Sequence, residues 1–286
     1  MSSSLPSVLR EQLLVHEQAP LGPRTTLGVG GPAAWLIELR TRKELMLAVG
    51  ELTQAGLTYR LLGHGSNLLI ADDGVPDVVL HTREMRHVYH HGEREHALRA
   101  EAGASLARLV SMAHELGLTG AERLVGIPGT VGGAVAGNAG GSAGAIGDVL
   151  VAVTVVDDDG EAREVPCTPT DFAYRSSPFR GQVVLDAVLQ LEPAPKGVIH
   201  ERMKTLLRTK SASQPLSWPS AGCMFKNPPE GASGRLIEAA GLKGLRVGGA
   251  QVSERHANFV VTSPGASAAD VAALVKLVQG QPGHGG

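Results

Sequence analysis

Cysteine is nearly absent: only Cys167 and Cys223 occur, 56 positions apart and outside any CxxC spacing. Two such thiols make neither a disulfide framework nor a zinc site, which leaves room for a working thiol. Aromatic residues are 3%, and the formal net charge is −2. Base stacking needs exposed rings and duplex binding needs a cationic excess, so nucleic acid is excluded as the main partner. The longest near-continuous apolar run, 149–156, has eight residues, against the roughly 20 of a membrane-spanning helix. Residues 1–15 mix Ser, Pro, Arg, Glu and Gln without the apolar stretch of a secretory signal, so no membrane partner and a cytoplasmic location are expected. No GxxxxGK(S/T) motif occurs, which excludes a P-loop nucleotidase. Glycine is abundant instead, 37 of 286 residues. The length predicts two or three modest domains.

Four segments read as helices. Residues 41–56 carry a Thr41/Glu44 capping box and an apolar stripe closed by Gly56; 105–117 repeat the pattern; 198–207 and 267–279 follow, the last with a Ser267/Asp270 box. Strands are predicted at 33–39, 59–62, 68–71, 75–80, 97–101, 149–156, 183–191 and 258–262. Asp157-Asp158-Asp159-Gly160 reads as a hairpin turn leading to 162–165 rather than as a metal site. His81, His87, His90 and His91 lack helical pairing with a carboxylate and read as loop and edge-strand residues, so no metal is expected. The Pro-rich stretch 192–195 marks a domain boundary, with a softer one near 81–92.

Three glycine-rich segments carry most of the information. Gly28-Val29-Gly30-Gly31-Pro32-Ala33 fits the loose dinucleotide pattern, but a strand follows it where a Rossmann turn would open a helix. Gly63-His64-Gly65-Ser66-Asn67 lies between two strand-like runs, and its backbone N–H groups can form an anion-binding nest; an ordinary hairpin loop is the alternative. Residues 126–141 hold seven glycines in sixteen positions. Each internal Gly costs a helix about 1 kcal/mol relative to Ala, so this segment is predicted to be neither helix nor strand but backbone wrapped against a large ligand.

Four motifs in register then carry a resemblance. Leu62-Gly63-His64-Gly65-Ser66-Asn67-Leu68-Leu69 comes first, followed by Ile127-Pro128-Gly129-Thr130-Val131-Gly132-Gly133-Ala134 with Asn138-Ala139-Gly140. Tyr174-Arg175-Ser176-Ser177-Pro178-Phe179 and Pro219-Ser220-Ala221-Gly222-Cys223-Met224-Phe225-Lys226-Asn227-Pro228 complete the set. From about Thr25 to Val271 the chain resembles the UDP-N-acetylenolpyruvoylglucosamine reductases (MurB family), in their shorter subclass.

That resemblance implies an α+β chain with a two-domain FAD-binding fold of the vanillyl-alcohol-oxidase type and a third, substrate-binding α+β domain. The expected divisions are 1–82, 83–195 and 196–286. It implies non-covalent FAD, with NADPH as hydride donor and a UDP-sugar as substrate. The cofactor-binding residues would be Gly63, His64, Gly65, Ser66, Asn67, Leu68, Ile127, Pro128, Gly129, Thr130, Gly132, Gly133 and Asn138. Hydride delivered to C3 of the enolpyruvyl group leaves negative charge at C2 and on the carboxylate. Arg175 would face that charge with a planar fork that stays protonated. Cys223, where most family members carry Ser, would protonate C2. Tyr174, Lys226 and Asn227 would contact substrate.

One departure concerns the carboxyl end. The family carries a catalytic Glu in a short strand after the last helix, and residues 279–286 hold no acid. Residues 281–286 are expected to make no buried contact, and activity to be low or absent. The alternative reading is therefore a flavin- and nucleotide-sugar-binding homologue with little or no turnover.

Overall fold

The computed structural model describes residues 4–280; the tail at 281–286, on which the expectation above bears, lies outside the described residues. The chain forms two compact units. One comprises Met1–Glu17, Trp35–His64 and Asp77–Arg208, and the other Gln18–Ala34, Gly65–Pro76 and Thr209–Gly286.

The first unit holds two hydrophobic cores. Helix α1, Ser7–Gln12, and helix α2, Arg42–Gln54, pack on a sheet in the order Leu14–Pro20, Pro32–Glu38, Val75–His81, Tyr59–Leu62. Half of the predicted box of α2 forms: Glu44 N–H donates to Thr41 Oγ1 at 3.2 Å, but the Glu44 carboxylate takes the N–H of Arg40, the residue before the cap, at 2.6 Å. Of the predicted stripe Leu45, Ala48, Val49, Leu52 and Ala55, the first four are buried and Ala55, at the helix end, is exposed.

The second core lies on an antiparallel sheet ordered Ala162–Pro166, Leu150–Val156, Val183–Gln190, Ala97–Glu101, Val88–His90. The expected hairpin at 157–160 joins its first two strands, and the Asp157 carboxylate accepts the N–H groups of Asp159 and Glu161. Helices α3, Leu106–Glu115, and α4, Val131–Gly137, contribute to this core.

Strand Val183–Gln190 is buried along seven of its eight residues, including the carboxylate of Asp186 at 0% exposure. Arg99 and Thr154, on the two flanking strands, donate to Asp186 Oδ1 at 2.7 and 2.8 Å, and Arg42 pairs with Oδ2. Arg42 stands in the first turn of α2, where the helix dipole disfavours a cation; the buried carboxylate offsets that. Arg99 reaches on to Glu164 at 2.5 Å.

The second unit carries the sheet Ser220–Cys223, Phe259–Thr262, Ala250–Val252, Arg246–Val247. Helices α6, Ser233–Ala239, and α7, Ala268–Gln279, contribute to its core with Leu27 and Val29. The predicted Ser267/Asp270 box forms, and Asp72 adds both carboxylate oxygens to the N–H groups of Ala268 and Ala269.

Three expectations are corrected. Residues 68–71 form no strand: Leu68 and Leu69 are 41% and 44% exposed, and Ala71 accepts from Gly31 and Gly74 rather than from a ladder. The glycine-dense segment does form a helix, α4. Burial of Val131, Ala134 and Val135 offsets the propensity cost, since an interior Val is worth roughly 1.5–3 kcal/mol. Helix α5, Lys196–Ser213, outruns the predicted 198–207, because only Ile199 is buried and the stripe that sets a boundary is weak. Among the described residues no helix is long and apolar enough to cross a membrane.

Asp186→Asn leaves two guanidinium groups against a neutral amide, and breaking a buried pair in this way costs about 3–5 kcal/mol. Denaturant unfolding is expected to show a loss of that order, against a change within about 0.5 kcal/mol for the exposed control Glu93→Gln. A small change for Asp186→Asn would show that the cluster contributes little.

Candidate active site

In the first unit, the two glycine motifs that stand far apart in the chain meet. Gly63 follows strand Tyr59–Leu62 and lies so close to Thr130 that a Cβ added there would sit 2.5 Å from Thr130 Oγ1. Any side chain at 63 would push the two segments apart. His64 is half-buried; burial, and then the charge of Arg83, hold its pKa below the usual histidine value, so its ring is neutral at pH 7. Gly65, Ser66, Asn67 and Leu68 belong to the second unit, where Gly65 O accepts the Thr26 N–H at 3.1 Å.

The Ile127–Gly133 motif leads into α4 through Pro128, Gly129 and the cap residue Thr130. The N–H groups of Val131, Gly132 and Gly133 are already committed. Val131 donates to Ala104 O and Gly132 to Ala102 O, each at 2.8 Å, and Gly133 donates to Thr130 Oγ1 at 3.4 Å. Gly132 is needed for this contact, since a Cβ there would lie 2.9 Å from that of Ala102. The first turn of α4 therefore offers a ligand a bare surface rather than a ring of donors. Gly133 and Gly137, one helical turn apart, are exposed, and a Cβ at Gly137 or at nearby Gly141 would meet no protein atom within 4 Å. A surface free of side chains over this length fits a large planar group lying against backbone, as the isoalloxazine of FAD would.

Asn138 closes α4 in the left-handed region, φ 45°. Its Nδ2 donates to Ala173 O at 2.9 Å and its Oδ1 accepts the Gly147 N–H at 3.1 Å. The amide thus works within the protein, anchoring the loop that bears Arg175. Ala173 and Ser176 exchange two backbone hydrogen bonds across a tight turn whose centre is Tyr174-Arg175, and Arg175 has φ 53°. A non-glycine residue held there stores roughly 1–3 kcal/mol of strain, which persists only where the surroundings over-determine it. Arg175 Nη1 donates to Gly140 O at 3.2 Å, and the guanidinium lies 5.5 Å from the ring centroid of Tyr174, itself 58% exposed. The other guanidinium N–H groups have no acceptor among the described residues, so one edge of a fixed cation is presented.

Cys223, Lys226 and Asn227 lie in the second unit. Strand Ser220–Cys223 pairs with Phe259–Thr262 through an irregularity between Ser220 and Cys223. Gly222 there has φ 79°, a conformation that makes the bulge possible. The bulge leaves Cys223 exposed at the strand end. Lys226 is exposed; Asn227 Oδ1 accepts the Ser233 N–H at 3.1 Å, and Ser233 Oγ donates to Lys226 O at 2.6 Å. Ser233, 1% exposed, escaped the sequence reading because nothing marks a buried serine in a short helix. Cys167 is buried, and desolvation, with Asp171 adding to it, pushes its thiol up to about 11. It is inert where Cys223 is accessible.

Comparison with known proteins adds a further finding. Residues 33–166 match the family described as "FAD binding domain", and residues 214–281 match "UDP-N-acetylenolpyruvoylglucosamine reductase, C-terminal domain". The chain is 44% identical over 280 residues to the UDP-N-acetylenolpyruvoylglucosamine reductase of Moorella thermoacetica, covering 98% of this chain and 91% of that one. The reductase of Carboxydothermus hydrogenoformans is 40% identical over 267 residues, 93% and 88% of the two chains. The crystal structure of the Thermus caldophilus reductase superposes with a TM-score of 0.80 at 42% identity, covering 94% of each chain. A solvent-stable cholesterol oxidase, 18% identical, shares the fold over 66% of this chain and 40% of its own, with a TM-score of 0.51.

Two expected outcomes follow from the site. Alkylation of the native protein at pH 8 is expected to label Cys223 while Cys167, with only about one thiol in a thousand ionised, reacts after unfolding; equal labelling in peptide mass analysis would contradict this. His64 and His256 both have folded pKa values held below the ordinary 6.5, His256 by burial and then by Lys243. The unfolded chain then binds more protons, so the stability these rings contribute is full above about pH 6.5 and is lost as pH falls through their folded values. The melting temperature is expected to drop on acidification from pH 7.5, with a shallower slope in His256→Gln.

Proposed function

The chain belongs to the UDP-N-acetylenolpyruvoylglucosamine reductase (MurB) family, and on that premise we propose that Arg175 and Cys223 divide the electrostatic and proton-transfer work of the reaction. The protein is an FAD-dependent oxidoreductase that reduces the enolpyruvyl ether of UDP-N-acetylglucosamine to UDP-N-acetylmuramate in peptidoglycan synthesis. FAD, when bound, would supply the two-electron chemistry that connects a hydride donor, proposed to be NADPH, to the substrate. A cytoplasmic location accords with that donor.

The substrate dictates what the side chains must do. Its double bond is conjugated to a carboxylate, so hydride enters at C3 and the electron pair moves toward C2 and the carboxylate oxygens. Arg175 binds that carboxylate through its outer edge. A guanidinium suits the role because it does not lose its proton and matches two oxygens at once. The strained turn and the bonds to Gly140 and from Asn138 to Ala173 hold the cation in place before charge develops, which is when preorganisation is worth most.

Cys223 completes the reaction by giving its proton to C2: the S–H bond breaks, the C2–H bond forms, and water restores the exposed thiolate. The contrast between the two thiols carries this reading. Cys223 is accessible on a bulge, and Cys167 is buried with its proton held tightly. Tyr174, Lys226 and Asn227 are the proposed substrate contacts, and the Gly63–Leu68 and Ile127–Gly133 segments are the proposed FAD contacts. The division into 1–82, 83–195 and 196–286 is kept as a proposal; the core beneath α2 also takes in Val156, Val183 and Leu185, and the core of the second unit takes in Leu27 and Val29.

Cys223→Ala is expected to leave reduction of the bound FAD by NADPH within about twofold of normal while slowing its reoxidation by the UDP-sugar by about 10²-fold or more, the range for a lost general acid. Equal losses in both half-reactions would make Cys223 a folding residue. Arg175→Lys is expected to slow the same half-reaction, since an ammonium lacks the bidentate fork; an unchanged rate would remove Arg175 from the assignment. Protein that bound FAD and the UDP-sugar without turnover would point to the binding homologue instead.

A further inference from the structure

We propose that Asn258 is a positioning residue for this reaction: its side-chain amide substitutes for a peptide group in the sheet and fixes the segment that carries Cys223, Lys226 and Asn227. The inference rests on the reading of Cys223 as proton donor.

The backbone ladder between Ser220–Cys223 and Phe259–Thr262 ends with Cys223 opposite Phe259. Asn258 is the next residue on the partner strand. Its main-chain carbonyl accepts the Met224 N–H at 2.8 Å. Its side chain then continues the pattern: Oδ1 accepts the Phe225 N–H at 2.9 Å, and Nδ2 donates to Phe225 O, also at 2.9 Å. A primary amide carries one acceptor and a donor in a single plane, as a peptide group does, so both polar groups of Phe225 are met by one side chain. Asn258 is 2% exposed, so water competes little for these bonds.

The clamp is itself braced. Asn258 N–H donates to His256 Nδ1 at 3.3 Å, and the His256 ring stands edge-on to Phe259 with centroids 4.9 Å apart. Gly234 of α6 leaves room for that ring, since a Cβ there would come within 3.0 Å of His256 Cε1. Beyond Phe225, Ser233 holds Lys226 O and Asn227 Oδ1. The segment is thus tied at Met224, Phe225, Lys226 and Asn227 in succession.

This matters because Gly222, immediately before Cys223, allows a wide range of backbone angles. A thiol that must meet one carbon tolerates a displacement of only about 1 Å. Asp in place of Asn258 would keep an acceptor for the Phe225 N–H and turn a second acceptor toward Phe225 O, so the clamp would fail without loss of volume.

The test compares Asn258→Asp and Cys223→Ala with the natural protein, each purified with FAD. For Asn258→Asp, amide hydrogen exchange over residues 223–227 is expected to accelerate at least tenfold, with exchange in 268–279 unchanged. Reoxidation by the UDP-sugar is expected to slow at least tenfold in its limiting rate, with reduction by NADPH within twofold. Unaltered exchange at 223–227, or faster exchange with reoxidation near normal, would overturn the proposal. If Asn258→Asp does not fold, Asn258→Ser, which can keep one of the two bonds without a charge, is judged by the same pair of outcomes. Cys223→Ala separates the two claims. Slow reoxidation in Cys223→Ala with a normal rate in the Asn258 variants removes this inference alone, whereas a normal rate in Cys223→Ala removes the proton-donor reading beneath it.

Discussion

A single carboxylate organises the first unit. Asp186 lies wholly buried in the central strand of the antiparallel sheet, with Arg99 and Thr154 on its flanking strands and Arg42 reaching it from α2. A carboxylate so placed is tolerable only when its partners are all present, so strand register and helix position are specified together. The same strand contributes Val183 and Leu185 to the core beneath α2, and Ala187 and Leu189 to the core beneath α3 and α4. Both cores therefore depend on one register.

The glycines of the cofactor region answer two different needs. Gly63 and Gly132 are required by the protein's own packing, because a side chain at either would collide with Thr130 or Ala102. Gly133 and Gly137 meet almost nothing in the protein and leave a face of backbone exposed. The first pair brings the segments together, and the second leaves a surface on which a flat cofactor can lie. Electrostatic binding of an anion by the first turn of α4 is not part of this arrangement, since those N–H groups are already donating.

Both groups assigned to the chemistry are aimed by backbone irregularities. Arg175 occupies a left-handed conformation in a two-residue turn, and Cys223 follows a glycine bulge at a strand end. Regular strand geometry would alternate these side chains between faces. In each case an asparagine on another segment fixes the departure, Asn138 through Ala173 and Asn258 through Phe225. Some polar side chains that look like ligand contacts in the motifs thus hold the loops instead.

Local chemistry was enough to read much of the fold. The capped helices at Thr41 and Ser267, the hairpin at Asp157 and the apolar strand around Asp186 follow from patterns spanning a few residues, where propensity and side-chain period act alone. The motifs holding Arg175 and Cys223 were legible only through their resemblance to a known family, which four motifs in register carry. Helix α4 was not legible, because its stability comes from burying Val131 and Val135 against strands far away in the chain rather than from its own propensity, which its glycines make poor. Nor could sequence tell which thiol is exposed. Cys167 and Cys223 are chemically identical until folding buries one and a bulge exposes the other, and desolvation is a property of the tertiary structure alone.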